Sequence, residues 1–277
     1  ALKGHDGDVL VLFGADPLIR PETIQAMLAA KEENAVIVLG FESETPGAYG
    51  RLVIAEDGSL EAIVEAKDAA PDQLDIGLCN SGVMLIDGGK IWDLLDRVGN
   101  DNAKGEYYLT DIIALAREDG LDCAVVMGDE AELLGIDDRA DLACAEAAVQ
   151  NQLRRAAMDA GATLTDPDSV FFHYDTVIGR DVTIGPNVVF GPGVTVGDNV
   201  TILSFCHIEG AAISSGARIG PFARLRPGAE IAEDVHIGNF VEIKNATVET
   251  GAKINHLTYV GDARVGAGVT DIGQVID

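Results

Sequence analysis

The sequence predicts two domains of different fold: an α/β domain, followed by a left-handed parallel β-helix of hexapeptide repeats. Two observations support this prediction. In the second half an aliphatic or aromatic residue returns about every sixth position from Ile178 to Val265, and in the first half short apolar runs alternate with helical patterns. A chain of 277 residues can form two domains that each bury their own core.

The first half has the alternation of strands and helices that is typical of an α/β domain. Apolar runs predict strands at 8–14, 35–40, 50–54, 60–65, 80–85 and 123–127, and helices at about 21–31 and 110–118. Asp57-Gly58 is a hairpin signal, and Thr110 is a candidate N-cap. We expect a mostly parallel sheet with helices on its faces. Asp16 and Glu65 should then lie at strand ends, where such sheets bind ligands.

Between the halves, the segment from Arg139 to about Ala160 is rich in Ala and Leu and contains no Pro or Gly. It predicts a long connecting helix. We therefore divide the chain into residues 1–138, a linker at 139–165, and residues 166–277. Because the chain opens almost at once on a strand and stops just after the repeat fails at Thr270, we expect an internal stretch of a longer protein.

The repeat in the second half has the period of a solenoid. We call its regularly spaced apolar residues the guide positions: Ile178, Ile184, Phe190, Val196, Ile202, Ile208, Ile213, Ile219, Leu225, Ile231, Ile237, Ile243, Val248, Ile254, Val260 and Val265. Six residues make one short strand and one turn, and three such units make a triangular coil that is buried by its neighbours. A helix would need a period of about 3.6 and a half-exposed strand a period of about 2. Three five-residue steps interrupt the rhythm, at 208–213, 243–248 and 260–265.

Composition limits the classes of partner. The net charge of −27 excludes nucleic acid as an expected partner, because its phosphates would be repelled. An acidic, solvated surface, as in a salt-adapted organism, is the plainer explanation of the charge. No apolar run is long enough to span a membrane. The four scattered cysteines indicate reduced thiols in a cytoplasmic protein.

An ordered set of motifs resembles the bacterial bifunctional enzyme family that makes UDP-N-acetylglucosamine. The motifs are Phe13-Gly14-Ala15-Asp16-Pro17-Leu18, Tyr49-Gly50-Arg51, Ile63–Asp68, Asn80-Ser81-Gly82, Gly105–Asp111, Gly220–Gly228, Gly238–Glu242 and His256–Tyr259. The resemblance implies an N-terminally incomplete α/β nucleotidyltransferase (Rossmann-like) domain joined to a C-terminally incomplete β-helix acetyltransferase domain. The family joins N-acetylglucosamine-1-phosphate uridyltransferase and glucosamine-1-phosphate acetyltransferase activities.

For the first half, the resemblance implies that Gly50, Glu65, Asn80 and Thr110 hold the sugar phosphate. It also implies Mg²⁺ as cofactor and UTP as co-substrate. The family's first metal ligand is an Asp at the position of Ala15, and its second is an Asn at the position of Asp137. Asp16 is one place along, and near a strand end such a shift usually turns a side chain to the other face. Asp137 remains a suitable hard oxygen ligand, and Asp16 is a possible one.

For the second half, the resemblance implies that His256 is the general base of acetyl transfer from acetyl-CoA. Arg226, Lys244 and Tyr259 would contact the sugar phosphate. Arg226 and Lys244 each follow a guide position and are separated by three uninterrupted hexads, so they should stack on successive coils. The family forms homotrimers with acetyltransferase sites between subunits.

Two other functions remain open on the sequence alone. One is a single-activity sugar-1-phosphate nucleotidyltransferase with a β-helix, against which His256, Arg226 and Lys244 argue. The other is a non-catalytic trimeric scaffold, which Ala15 favours. A zinc site made by His207, His236 and His256 is a weaker hypothesis, because their spacing matches no compact ligand motif.

Overall fold

The computed structural model describes residues 5, 7–101, 105–133 and 135–270. The chain divides into two compact units, Ala1–Ala145 and Glu146–Asp277. The segment after Thr270, where the repeat was expected to fail, lies outside the described residues. Within the described part of the chain, no helix is long and apolar enough to cross a membrane.

The described residues of unit 1 form six strands and four complete helices, and a fifth helix begins among them. In chain order these are β1 (Val9–Val11), α1 (Pro21–Ala30), β2 (Val36–Glu42), β3 (Arg51–Ile54), β4 (Leu60–Val64), α2 (Pro71–Leu74), β5 (Leu78–Ile86), α3 (Ile91–Leu95), α4 (Ile112–Glu118), β6 (Cys123–Met127) and α5 (Arg139–Asp159). All the strands and helices expected from the sequence are present, with ends that differ by a few residues. The long helix predicted from Arg139 is α5.

The sheet of unit 1 is mixed, and the expectation of a mostly parallel sheet is wrong. Its order is β4-β3-β5-β2-β6, with β1 also paired to β5. Among the described pairs, only β2 and β6 run parallel. Two features cause this: β5 runs antiparallel to β1, β2 and β3, and β3 and β4 form the predicted hairpin around Asp57-Gly58. Apolar side chains of β2 and β5 are buried on both faces of the sheet.

The antiparallel strand β5 is irregular next to Asn80. On one side it pairs with β3 at Cys79 and then with β1 from Met84. Against β2 its register shifts between Val38 and Gly40, which is a β-bulge. Gly82 lies in this bulge with φ of 84°, a conformation that favours glycine. The bulge lies towards the sheet edge at which β1, β2 and β6 end.

Unit 2 is a parallel β-solenoid. Its strands are β7 (Thr163–Leu164), β8 (Val177–Ile178), β9 (Thr183–Ile184), β10 (Val189–Phe190), β11 (Thr195–Val196), β12 (Thr201–Ile202), β13 (His207–Ile208), β14 (Ala211–Ile213), β15 (Arg218–Ile219), β16 (Arg224–Leu225), β17 (Ala229–Ile231), β18 (His236–Lys244), β19 (Ala246–Val248), β20 (Lys253–Gly261) and β21 (Arg264–Val265). The strands β18 and β20 are long and continue round a corner, so each pairs on two faces.

The register confirms the coil predicted from the repeat. Strands stack in parallel on three faces, and one coil advances 18 residues, as from Thr183 to Thr201. The advance is 17 residues from Thr201 to Arg218, which is the interval that contains the first five-residue step. The guide positions from Ile184 to Val265 are all buried in one continuous core. The predicted fold class is therefore confirmed in both units.

The second half of α5 covers the open end of this core. Leu153, Ala157 and Met158 pack against it. Gln150 is buried and pairs with the backbone of Phe172 through both amide atoms, at 2.7 and 2.9 Å. Arg154 Nε donates to Val170 O at 2.8 Å. The helix thereby caps the first coil, which has no preceding coil to cover its core.

Candidate functional sites

In unit 1 the four residues expected to hold a sugar phosphate come together. Glu65 follows β4, and Asn80 lies in β5. The Cα of Gly50 lies so close to both that a Cβ there would stand 3.6 Å from Glu65 Oε1 and 3.6 Å from Asn80 Cβ. Asn80 N donates to Gly50 O at 2.8 Å. Thr110 completes the group, with its hydroxyl donating to Glu65 Oε1 at 3.3 Å.

Thr110 does not have the structural role expected of it. It lies inside a short 3₁₀ turn at Leu109–Asp111, and α4 begins after that turn. The helix has no side-chain cap hydrogen bond. The Thr110 hydroxyl donates to Glu65 instead, so the N-cap expectation is wrong and Thr110 contacts another residue of the candidate site.

The bulge in β5 orients the Asn80 carboxamide. Gly82 N donates to Asn80 Oδ1 at 2.9 Å. The carboxamide oxygen is therefore held by the backbone, and the NH₂ is the group left to donate to a ligand. Ser81 Oγ donates to Leu39 O at 2.6 Å and so ties the bulge to β2.

A pocket of about 510 Å³ beside Glu65 contains one further functional candidate, Lys67, for which the sequence alone suggested no role. It is lined by Ala48, Glu65, Ala66, Lys67 and Tyr108. Lys67 makes no ion pair with a carboxylate of the described residues. A free ammonium group in a pocket of such an acidic chain is suited to an anion. The rarity of cations in this sequence was the signal that could have identified Lys67.

The segments that carry Asp16 and Asp137 are in contact. Partial burial and, after it, the charge of Asp137 raise the pKa of the Asp16 carboxyl. Ile136 N donates to Ala15 O at 2.9 Å, which joins the two segments. The expected reversal of the Asp16 side chain does not apply, because residues 13–16 form a turn closed by Asp16 N and Phe13 O at 3.2 Å. The two-residue alternation of a strand therefore ends before Asp16.

The Asp16–Asp137 pair fits a hard divalent cation. Carboxylate oxygens are the ligands that Mg²⁺ prefers, and this ion usually keeps several waters beside one or two carboxylates. A cation would also offset the repulsion that raises the pKa of Asp16. The described residues contain no cluster of three or more His, Cys, Asp or Glu side chains that could hold a metal. Phosphate and water oxygens would have to complete the coordination.

An ion pair between the partly exposed Arg20 and the buried Glu132 holds the two segments of this carboxylate pair together. The Glu132 carboxylate accepts hydrogen bonds from Arg20 Nε at 2.6 Å, from Arg20 N at 3.1 Å and from the Thr23 hydroxyl at 2.7 Å, and Arg20 also donates through its terminal nitrogen. The Glu132 side chain is only 4% exposed. Burial opposes its ionisation, but these hydrogen bonds outweigh burial and lower the pKa of Glu132.

In unit 2, Arg226 and Lys244 are neighbours on successive coils, as predicted. Leu225 pairs with Ile243, and Arg226 N donates to Ile243 O at 2.8 Å. Arg226 also forms an ion pair with Glu242 at 2.8 Å, and Lys244 lies 3.9 Å from Asp262. Both cations are partly exposed, so their remaining N–H groups can reach a ligand.

Tyr259 and His256 lie on the next coil. Tyr259 is paired with Glu242, and its hydroxyl folds back over Gly261, which is paired with Lys244. His256 is exposed and paired with Asn239 at the corner. The four predicted site residues of the second half therefore occupy one corner and the adjoining face of the solenoid.

The three histidines of the zinc hypothesis belong to different columns of stacked residues. His207 stacks on Arg224, His236 stacks between Arg218 and Lys253, and His256 stacks on Asn239. Their positions do not converge on one point.

Comparison with known proteins gives close relatives. Residues 175–210 and 210–245 match the family described as bacterial transferase hexapeptide (six repeats). The chain is 65% identical over 271 residues to "Bifunctional protein GlmU" of Paramagnetospirillum magneticum, which covers 97% of this chain and 60% of that relative. The protein of the same name from Rhodospirillum rubrum is 63% identical over 270 residues, covering 96% of this chain and 60% of that relative. The chain thus spans about 60% of the length of these curated relatives.

Proposed function

This chain is a relative of the bifunctional GlmU proteins over almost all of its own length, and from that premise we propose a two-step role in making UDP-N-acetylglucosamine. The first step is acetylation of glucosamine 1-phosphate by acetyl-CoA. The second is transfer of a uridylyl group from UTP to N-acetylglucosamine 1-phosphate, with release of pyrophosphate. The observation that supports the proposal best is the grouping of Gly50, Glu65, Asn80 and Thr110 in unit 1. In unit 2, Arg226, Lys244 and Tyr259 lie on neighbouring coils, and His256 lies at the adjoining corner.

For acetyl transfer, each side chain has a chemical role. Arg226 and Lys244 hold the sugar phosphate, and Tyr259 contacts the sugar. The sugar amine attacks the thioester carbonyl, so that a C–N bond forms and the C–S bond breaks. His256 takes the proton lost by the amine and can return it to the leaving thiolate. A neutral imidazole suits this transfer at physiological pH.

For uridylyl transfer, Glu65 accepts from sugar hydroxyls, Asn80 donates through its NH₂, and Gly50 lets the backbone approach the ligand. Asp16 and Asp137 would hold Mg²⁺, and Lys67 would face the phosphate. The bound ion would neutralise charge on the phosphates of UTP. The sugar phosphate oxygen displaces pyrophosphate at the α-phosphorus of UTP.

Pyrophosphate release from UTP and N-acetylglucosamine 1-phosphate tests the uridylyl step and the role of Ala15. The protein would be compared with Asp16→Asn and Ala15→Asp variants in Mg²⁺, and Mn²⁺ binding would be followed by electron paramagnetic resonance. We expect the unaltered protein to release pyrophosphate and to bind Mn²⁺. We expect Asp16→Asn to reduce both the activity and the ion binding at least tenfold. If the unaltered protein releases no pyrophosphate and the Ala15→Asp variant does, this chain has lost its metal ligand. If none of the three proteins releases pyrophosphate, the proposal of uridylyl transfer is wrong.

Coenzyme A release from acetyl-CoA and glucosamine 1-phosphate tests the acetyl step. We expect His256→Gln to lower kcat by about 10² to 10⁴ with little change in KM for the sugar phosphate. His207→Gln is the matched control, because His207 lies on another column. Turnover in the unaltered protein would exclude a single-activity nucleotidyltransferase. Failure to bind either sugar phosphate would favour a non-catalytic scaffold.

We propose further that the protein is a cytoplasmic homotrimer assembled through the solenoid. One corner exposes a ladder of stacked rings, with centroids 4.9 Å apart for Phe205–Phe222 and 5.0 Å apart for Phe222–Phe240. All three rings are exposed, and their residues have positive φ. Large apolar residues rarely adopt this conformation at an exposed position, so a partner surface is the natural explanation. Sedimentation equilibrium would test this, with the Phe222→Ala/Phe240→Ala variant expected to dissociate.

A further inference from the structure

The solenoid has a column of cations separate from the residues used in the proposed reactions. Thr201 pairs with Arg218, Arg218 with His236, and His236 with Lys253, on one face. We call this set of Arg218, His236 and Lys253 the basic column. Neighbouring parallel strands lie about 4.8 Å apart, so the three side chains leave the sheet at regular, short intervals.

The cations of the basic column are not neutralised within the described chain. Arg226, Lys244 and Arg264 each have a carboxylate partner in unit 2. By contrast, Arg218 and Lys253 form no ion pair with any carboxylate of the described residues. Asp234 lies two residues before His236 in the sequence, and its carboxylate lies over Gly216 at the turn.

The surroundings of the basic column leave it open on one side. The positions two residues after Arg218 and His236 are Gly220 and Gly238, which carry no side chain that could overhang the column. Arg218 and Lys253 are exposed, whereas His236 is half-buried between them. Partial burial lowers the pKa of His236, and the charges of Arg218 and Lys253 lower it further.

We propose that the basic column is a binding site for phosphate-type oxyanions, and that it prefers a diphosphate group to a single phosphate. Three positive or protonatable groups on adjacent strands repel each other, and an anion between them would relieve that repulsion. A diphosphate can contact two neighbouring strands at once, with the Arg218 guanidinium donating to phosphate oxygens through its planar fork. The hydroxyl of Thr201 can donate to the same anion. The site involves no residue to which the proposed reactions assign a role.

The test is titration of the whole chain with sodium phosphate and, separately, sodium diphosphate at low ionic strength. Binding would be measured by calorimetry and by the imidazole proton resonance of His236, assigned with a His236→Gln variant. We expect diphosphate to bind at least fivefold more tightly than phosphate. The Arg218→Ala/Lys253→Ala variant should weaken diphosphate binding at least tenfold.

The matched control is Arg155→Ala/Arg264→Ala, which removes the same charge from two exposed, ion-paired arginines. It should bind diphosphate within twofold of the unaltered chain, with the same His236 shift. Equal weakening in both double variants would mean that binding follows net charge alone and would overturn the proposal. Sedimentation of each variant tests whether the basic column instead forms an interface with another copy of the chain. If loss of the basic column dissociates an oligomer while diphosphate leaves the His236 resonance unmoved, the column binds carboxylates of another copy and the proposal is wrong.

Discussion

Glu132 connects the two segments that carry the candidate metal ligands. Its carboxylate receives hydrogen bonds from Arg20 and Thr23. Arg20 lies four residues after Asp16, and Glu132 lies five residues before Asp137. Because the carboxylate is enclosed, losing its charge removes charge-assisted hydrogen bonds that water cannot replace in full. Glu132 therefore links the two segments that carry Asp16 and Asp137.

We expect Glu132→Gln to lower the free energy of unfolding of unit 1 by about 1 to 2 kcal/mol at pH 7, since Arg20 is half exposed and regains water. The folded-state pKa of Glu132 is lowered, so its contribution is present above the unfolded value of about 4.3 and is lost as the pH falls through the folded value. The two proteins should therefore converge in stability at low pH. Urea unfolding followed by the fluorescence of Trp92, the single tryptophan, reports unit 1. Glu33→Gln, at an exposed site, should show neither effect.

Lys67 allows a test of the pocket that leaves the carboxylates intact. It lines the same pocket as Glu65 and Tyr108. We expect Lys67→Ala to weaken binding of N-acetylglucosamine 1-phosphate about tenfold and binding of N-acetylglucosamine by less than twofold, because only the phosphate needs the cation. Calorimetric titration of both ligands measures the difference, and Lys90→Ala is the control on the same unit. Equal losses for the two ligands would mean that Lys67 shapes the pocket and does not bind phosphate.

At the scale of elements, the two units differ in how far their sequence predicts them. Each coil of the solenoid repeats the same local pattern, so both the guide positions and the 17- and 18-residue registers follow from spacing. The sheet of unit 1 depends on pairing between distant segments, and apolar runs do not encode strand direction. For this reason the strands were predicted correctly but the parallel order was not. The turn at 13–16 and the position of Thr110 likewise depend on tertiary contacts.

The contact between β18 and β20 gives a prediction for one element. A Cβ on Gly238 would overlap the carbonyl oxygen of Asn255 on the next coil. Gly238→Ala must therefore separate two backbones that hydrogen bonds hold together, and we expect a loss of at least about 3 kcal/mol in stability. Hydrogen exchange of the amides in residues 236–261 should rise sharply. In Gly266→Ala, whose Cβ would meet only Val269 at 3.7 Å, exchange should stay unchanged. Unchanged exchange in both variants would contradict the close approach.

At the scale of the whole molecule, the acidic composition limits where anionic ligands can bind. With 46 acidic and 19 basic side chains, most carboxylates have no cation to pair with. Each candidate site for a sugar phosphate contains at least one cation, Lys67 in unit 1 and Arg226 with Lys244 in unit 2. Anions are therefore drawn to a few local groups against an unfavourable long-range field.

Because of the same excess of acidic side chains, we expect the thermal stability of the protein to depend on salt concentration. Between 0.1 M and 1 M NaCl the Debye length falls from about 10 Å to about 3 Å, which removes most repulsion between exposed carboxylates. Salt also weakens surface ion pairs, but these contribute little each and are far fewer than the unpaired acids. We therefore expect Tm to rise by about 5 °C, with most of the rise complete below 0.5 M because screening saturates. Glycine betaine at equal osmolality stabilises proteins without screening charge, and it should produce a smaller rise that is linear in concentration. Linear and equal rises in both solutes would mean that repulsion among the carboxylates does not limit the stability of this chain.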